Sequence, residues 1–207
     1  MYVPKHFSEE NREQLAQYMK DSRFATVVTS IDNIPYASHL PLTYQHGVGE
    51  NGTLYGHVAR ANSHWNHFKP NSESLAIFTG PNAYLSPNWL AAQNAVPTWN
   101  YIAVHAYGAP QIVDNEDQVL EILAMLSADN ETEKTGFWTA DKMDQNVLLG
   151  LLKGIVAFKM PITRIEGKRK MSQNKPAETR RGAIEGLRQL GDTQSTTIAD
   201  LMETGLS

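Results

Sequence analysis

The strongest constraint on the fold lies in residues 24–59, which break into short β-branched and aromatic runs divided by turn chemistry. Segments 24–30, 35–44 and 53–59 read as strands, with Asp32-Asn33 after the first and a glycine-rich stretch, Gly47 to Gly52, before the third. Connections this short join antiparallel neighbours, because a parallel pair needs a crossover of a dozen residues or more. Further strands are predicted over 74–80 and 154–166, and 97–113 is an extended, aromatic-rich segment punctuated by Pro110. Helices are predicted between them. The first covers 8–21, with Ser8 as N-cap, Glu9 and Glu10 in its first turn, and Leu15, Tyr18 and Met19 on one face. Others cover 63–68, 114–128, 146–153, 177–190 and 197–203, of which 114–128 places Val119, Ile122, Leu123 and Leu126 at helical spacing. Antiparallel hairpins with helices inserted between them predict an α+β chain built on a β-barrel rather than a doubly wound sheet.

Composition narrows the chemistry. The 207 residues include no cysteine, which removes disulfide scaffolds, thiol nucleophiles, Cys-ligated zinc and iron–sulfur clusters together. The net charge of −4 gives no overall field toward nucleic acid. It is unevenly spread: from Lys159 to Arg188 nine basic residues face three glutamates, while the remaining nine basic residues face nineteen acidic ones. The C-terminal quarter is a basic island. The most apolar stretch, 147–162, carries Lys153, Lys159 and a proline and is shorter than the roughly 18 apolar residues of a membrane span. The amino terminus turns acidic where a signal peptide has its apolar region. The expectation is a cytoplasmic protein without a membrane partner.

One GxGxxG match, Gly47 to Gly52, is followed by the strand-like Thr53-Leu54-Tyr55 rather than a helix start, so it reads as a hairpin loop and not a dinucleotide fingerprint. His64 and His67 are three apart with His57 upstream, but no acid lies between Val58 and Lys69 to complete a catalytic metal site. No metal is expected. In Gly56-His57-Val58-Ala59-Arg60-Ala61-Asn62-Ser63-His64-Trp65 a strand end passes into a helix start and presents Arg60, Asn62, Ser63 and His64, donors suited to phosphate. By strand period Trp99 and Tyr101 share one face and Asn100 the other, an arrangement that could serve a subunit interface. The stretch Lys168 to Lys175 mixes four cations with Ser172, Gln173 and Asn174, a composition equally suited to an anionic ligand or a solvated loop. No nucleophile elbow, SxxK or Walker lysine occurs, and no catalytic residue is assigned. The last helix offers Asp200 and Glu203 and no basic residue to a DNA groove, so DNA contacts, if made, fall to Arg180, Arg181 and Arg188.

Taken in order, MYVPKHF, SHLPL, GHVARANSHW, VPTWNYIAVHAYG, KMSQNK and RRGAIEGL resemble the PaiB family of FMN-binding negative transcriptional regulators over nearly the whole chain. The resemblance implies an antiparallel flavin-binding split β-barrel over 1–175, a C-terminal helical extension over 176–207, and a homodimer with FMN at the subunit interface. It implies that Ser38, His39, Leu40 and Pro41 lie along the flavin, with His57, Val58, Arg60, Ala61 and Asn62 around its ring edge and phosphate. Trp99 and Asn100 come from the partner subunit in this reading, and Ser172, Gln173 and Asn174 complete the pocket. The chain departs from the family pattern at Ser63, where proline is expected, and at Leu90, where tyrosine is expected. Two other functions stay open: an FMN-dependent oxidoreductase of the split-barrel type, and a haem-binding protein using one of His39, His57, His64, His67 or His105.

Overall fold

The computed structural model describes residues 1–70, 72–90 and 95–206, which divide into two compact units. Unit 2 comprises Met19–Phe78 and His105–Ile165 and opens on the hairpin of β2 (Phe24–Ile31) and β3 (Ile34–Pro41). Asp32 and Asn33 both adopt positive φ, 50° and 65°, the two-residue turn whose twist matches the strands it joins. Pairing runs in register from Ile31 with Ile34 to Phe24 with Pro41. The start of β6 (Ser74–Leu85) adds to the other side of β2, and β3 is left at the sheet edge.

The predicted strand 35–44 is two strands. β3 ends at Pro41, Leu42 donates its backbone N–H to the Arg23 carbonyl, and β4 (Thr43–Gln45) joins a different sheet of order β4-β5-β9-β8. Here β5 (Thr53–Ala59) pairs with β4 across Gly47–Gly52 and with β9 (Ile155–Pro161) on its other side; β8 (Gln111–Val113) closes the order. The GxGxxG match is therefore a hairpin loop, and its Gly47, Gly49 and Gly52 all have positive φ. The helix α2 (Glu116–Asn130), capped by the Asn115 side chain, seats Val119, Ile122 and Leu126 against Val113 and Ala157. The helix α3 (Gln145–Leu152) follows, its N-terminal N–H groups of Asn146 and Val147 held by Asp144.

Unit 1 comprises Met1–Tyr18, Thr79–Val104 and Glu166–Ser207. The helix predicted from residue 8 starts later. Ser8 and Glu9 form β1 (Ser8–Glu9), paired with Lys168 and Gly167 of β10 (Arg164–Lys170), and α1 (Arg12–Asp21) is capped by Asn11, whose Oδ1 accepts from the Glu13 and Gln14 N–H groups. Long-range pairing overrides the local cap signal of Ser8. Residues 168–170, part of the stretch whose composition suits either an anionic ligand or a solvated loop, are strand. β7 (Thr98–Gly108) supplies Trp99 and Asn100 to this unit.

The C-terminal helices α4 (Ala177–Leu190) and α5 (Thr193–Glu203) pack as a hairpin around Gly191 at φ 71°, a left-handed C-cap, and Asp192, whose carboxylate accepts from Ser195 N–H. Arg180 and Arg169 point at the end of α5: Arg180 donates to the Met202 and Gly205 carbonyls at 2.7 Å each, and Arg169 donates to Leu201 at 2.6 Å. These cations complete a helix C-terminus, where carbonyls lack partners. Arg188 pairs with Asp200 at 3.2 Å and with Glu203. Of the three arginines to which any DNA contact would fall, Arg180 is buried and Arg188 is ion-paired. Among the described residues no helix is long and apolar enough to cross a membrane.

Gly186 of α4 is required by contact: a Cβ there would lie 2.2 Å from the Trp89 ring, whereas a Cβ on Gly150 of α3 meets nothing within 4 Å. Gly186→Ala is expected to destabilise by about 1–3 kcal/mol through overpacking, and Gly150→Ala to stabilise by about 0.5–1 kcal/mol through helix propensity. Urea unfolding of both variants checks the opposite signs.

Candidate functional site

In unit 2, β3 and the chain leaving β5 assemble a polar cluster around a buried imidazole. Alternation along β3 turns Ser38 and Leu40 inward and His39 outward. After β5 the chain turns at Asn62, whose Oδ1 caps the 3-10 helix Ser63–His67 by accepting from His64 N–H at 3.0 Å. This cap swings the His64 ring into the core, where the residue is 0 % exposed. Its Nε2 lies 2.9 Å from Thr29 Oγ1 and its Nδ1 lies 2.9 Å from Ser38 Oγ. Thr29 continues to Ser74 at 2.6 Å, and Asn62 Nδ2 donates to Ser38 Oγ at 3.0 Å. The Tyr36 hydroxyl reaches Asn62 Oδ1 at 3.2 Å and Ser63 Oγ at 3.3 Å.

Either neutral tautomer satisfies this chain: with Nε2–H donating to Thr29, Thr29 donates to Ser74 and Ser38, receiving from Asn62, donates to Nδ1; with Nδ1–H donating to Ser38, Ser74 donates to Thr29 and Thr29 to Nε2. Burial, with the neighbouring His67 adding to it, lowers the His64 pKa to about 4. The ring read from sequence as a presented phosphate donor, and left open as one of five haem ligands, is instead internal, with both nitrogens engaged. Sequence reasoning left Tyr36 and Thr29 out of the site and read His64 as a presented donor rather than an internal ring.

Other expected residues lie elsewhere in the unit. The exposed Arg60 donates from Nε to Lys153 O and from Nη2 to Ile155 O, both at 2.7 Å, and its own carbonyl accepts from Trp65 Nε1. Val58 is buried in the core, and Ala61 is exposed beside the turn. His57, one residue from Val58 on β5, faces the opposite side and lines a cavity with α2 and α3. His39 Nδ1 lies 3.0 Å from Thr26 Oγ1, and Pro41 closes β3. No cluster of three His, Asp or Glu side chains able to hold a metal occurs among the described residues.

In unit 1 a second group forms. Asn100 is fully buried, accepts from Ser172 Oγ at 3.0 Å and directs Nδ2 to Met202 Sδ at 3.2 Å. Ser172 has φ 56°, and Gln173 folds onto its own loop, receiving Met171 N–H at 2.7 Å and donating to Arg169 O at 2.6 Å. Asn174 is exposed. Trp99 stays 53 % exposed, edge-on to Tyr84, while Lys170 Nζ donates to Thr98 Oγ1 and to the Trp99 carbonyl. Desolvation, then the charge of Lys168, lowers the Lys170 pKa.

Residues 1–164 match the family described as "Putative FMN-binding domain". The chain belongs to this family. FMN is its cofactor. Along its full length the chain is 34 % identical over 207 residues to the "Protease synthase and sporulation protein PAI 2" of Bacillus subtilis, covering 100 % of this chain and 98 % of the relative. An uncharacterized protein of Saccharomyces cerevisiae is 32 % identical over 156 residues, 65 % of this chain and 92 % of that one. Among solved structures, the FAD and heme binding protein of Mycobacterium smegmatis superposes with a TM-score of 0.60 at 15 % identity, covering 79 % of this chain and 73 % of that one. A conserved hypothetical protein of Mycobacterium tuberculosis gives 0.60 at 10 % identity, covering 85 % and 94 %. The α+β antiparallel fold of this FMN-binding family member is that of the flavin-binding split barrels.

The buried imidazole makes stability pH-dependent. An unfolded histidine takes up its proton near pH 6.5, the folded His64 only near 4, so between these values the unfolded chain binds more protons and stability falls as pH falls. The loss is at most about 3 kcal/mol. Thermal melts from pH 7 to pH 4 should show a falling Tm whose slope is reduced in His64→Gln.

Proposed function

We propose that this protein is a PaiB-like negative transcriptional regulator acting as a homodimer with FMN at the subunit interface. The observation that carries the reading is the Ser38–Asn62 pair, fixed before any ligand arrives by the buried His64, on a chain matched end to end by the Bacillus subtilis relative. The donor chemistry suits the cofactor. The edge strand β3 has backbone groups without a strand partner beside Ser38, His39, Leu40 and Pro41, which would meet the hydrogen-bonding edge of the ring. Asn62, Ser63 and the Arg60 donors not spent on Lys153 and Ile155 would hold the phosphate, with the backbone of Val58 and Ala61 alongside. The partner subunit's exposed Trp99 would cover the ring, while Asn100, buried and bonded to Ser172, would position that side chain from behind, with Ser172, Gln173 and Asn174 completing the pocket. Exposed Phe24 and Ile34, at 68 % and 70 %, and half-exposed Trp99 supply apolar surface for such an interface.

The flavin, when bound, brings redox capacity; this chain's residues bind and orient it. The regulatory effect belongs to the dimer rather than to a DNA-reading helix, since Arg180 and Arg188 are committed to α5.

Purified protein titrated with FMN should acquire flavin absorbance with quenched fluorescence. Arg60→Ala should weaken binding by about 1.5–3 kcal/mol, roughly 10–150-fold, with Tm measured alongside because the substitution also frees two carbonyls. Unchanged affinity would remove Arg60 from the phosphate site. Sedimentation should give a dimer, and gel shifts at physiological salt should show no sequence preference.

A further inference from the structure

The helices α2 and α3 and the loop between them border, within unit 2, an open-sided cavity of about 580 Å³. Its walls are more apolar than seating these helices requires. On α2, Val119, Ile122 and Leu126 attach the helix to the sheet, Leu123 touches both this core and the cavity, and Leu120, Ala124, Ser127 and Ala128 continue the cavity face. On α3 no side chain is buried although its sequence is QNVLLGLL, and Leu148, Leu151 and Leu152 line the same space. The loop adds Phe137 and Trp138 and is held by Glu131, whose carboxylate accepts from Thr135 Oγ1 at 2.6 Å and Trp138 N–H at 3.0 Å.

At the cavity wall stands His57. Its Nδ1 is buried and has no hydrogen-bond partner among the described residues, an arrangement that costs free energy unless something fills it. Desolvation lowers its pKa and keeps the ring neutral.

We propose that this cavity binds a neutral apolar small molecule carrying one hydroxyl group that pairs with His57. The volume lies within the roughly 300–1,000 Å³ of small-molecule sites, and a concavity of this kind suits a small ligand better than the flat face of a protein partner. A hydroxyl can donate to or accept from the imidazole, so it satisfies either tautomer. The charged side chain among the lining residues is Glu131, so an anionic amphiphile such as a fatty acid meets like charge at the wall. His57 is shared with the residues that the resemblance places near the flavin, but it faces this cavity, away from the side of β5 that carries Val58, and the proposal does not rest on the flavin reading.

The test uses the full chain and the neutral fluorophore 1-N-phenylnaphthylamine, whose emission rises in apolar surroundings. Saturable one-to-one binding is expected, displaced by 2-naphthol at concentrations roughly 2–12-fold lower than by naphthalene, the worth of one net hydrogen bond. His57→Phe should retain the fluorophore and abolish the preference for naphthol. Ala124→Trp and Ala128→Trp, at exposed helix positions that fold readily, should each fill the cavity and weaken fluorophore binding at least tenfold while circular dichroism stays unchanged. Absence of saturable binding, or binding indifferent to both tryptophan variants, overturns the proposal. So does displacement by FMN, which would make the cavity part of the flavin site, and so does binding that declines as protein is concentrated, which would make a second copy the occupant.

Discussion

The arrangement of the candidate site in unit 2 depends on one buried imidazole. His64 joins β2 through Thr29, β3 through Ser38 and, through its own backbone N–H, the Asn62 cap of the turn after β5. A polar ring with no exposure is tolerated because both nitrogens are matched; removing either partner leaves a desolvated atom unpaired. The same bonds fix the rotamers of Ser38 and Asn62. The side chains proposed to bind are thus held by one that would not touch the ligand, the arrangement that gives a site its geometry before occupation.

Charge in the C-terminal quarter follows a comparable logic. Nine cations against three acids suggest attraction to polyanions, yet Arg169 and Arg180 finish the carbonyl end of α5, Arg188 bridges to two acids on it, and Lys170 ties to the chain at Thr98 and Trp99. Guanidinium forks suit this task because several donors converge on neighbouring carbonyls. Among Arg169, Lys170, Arg180 and Arg188, only Arg188 meets acids; the others keep their charge while their donors are spent on neutral oxygens.

The two faces of β5 divide the remaining roles. Val58 fills the core, while His57 opens on the space beneath α2 and α3. Adjacent residues on one strand therefore belong to different environments, and a contiguous motif such as GHVARANSHW need not act as a contiguous site. The cavity face of α2 and the unburied α3 account for apolar residues that packing alone leaves unexplained.

Local rules written in the sequence determined the elements. The Asp32-Asn33 turn, the hairpin nature of Gly47–Gly52, the bounds of β5 and α4, and the periodicity of α2 all follow from short-range turn and spacing preferences, and the ordered motifs determined the family and its cofactor. Only the tertiary structure decided that Ser8 is strand rather than cap, that β3 and β4 belong to separate sheets, that His64 is internal, and that Arg180 serves a helix end. Those outcomes turn on partners distant in sequence: Lys168 for Ser8, Thr29 and Ser38 for His64, Met202 for Arg180. A side chain's type states what bonds it can make; only the folded neighbourhood states which of them it does make, because burial raises the cost of every bond left unmade.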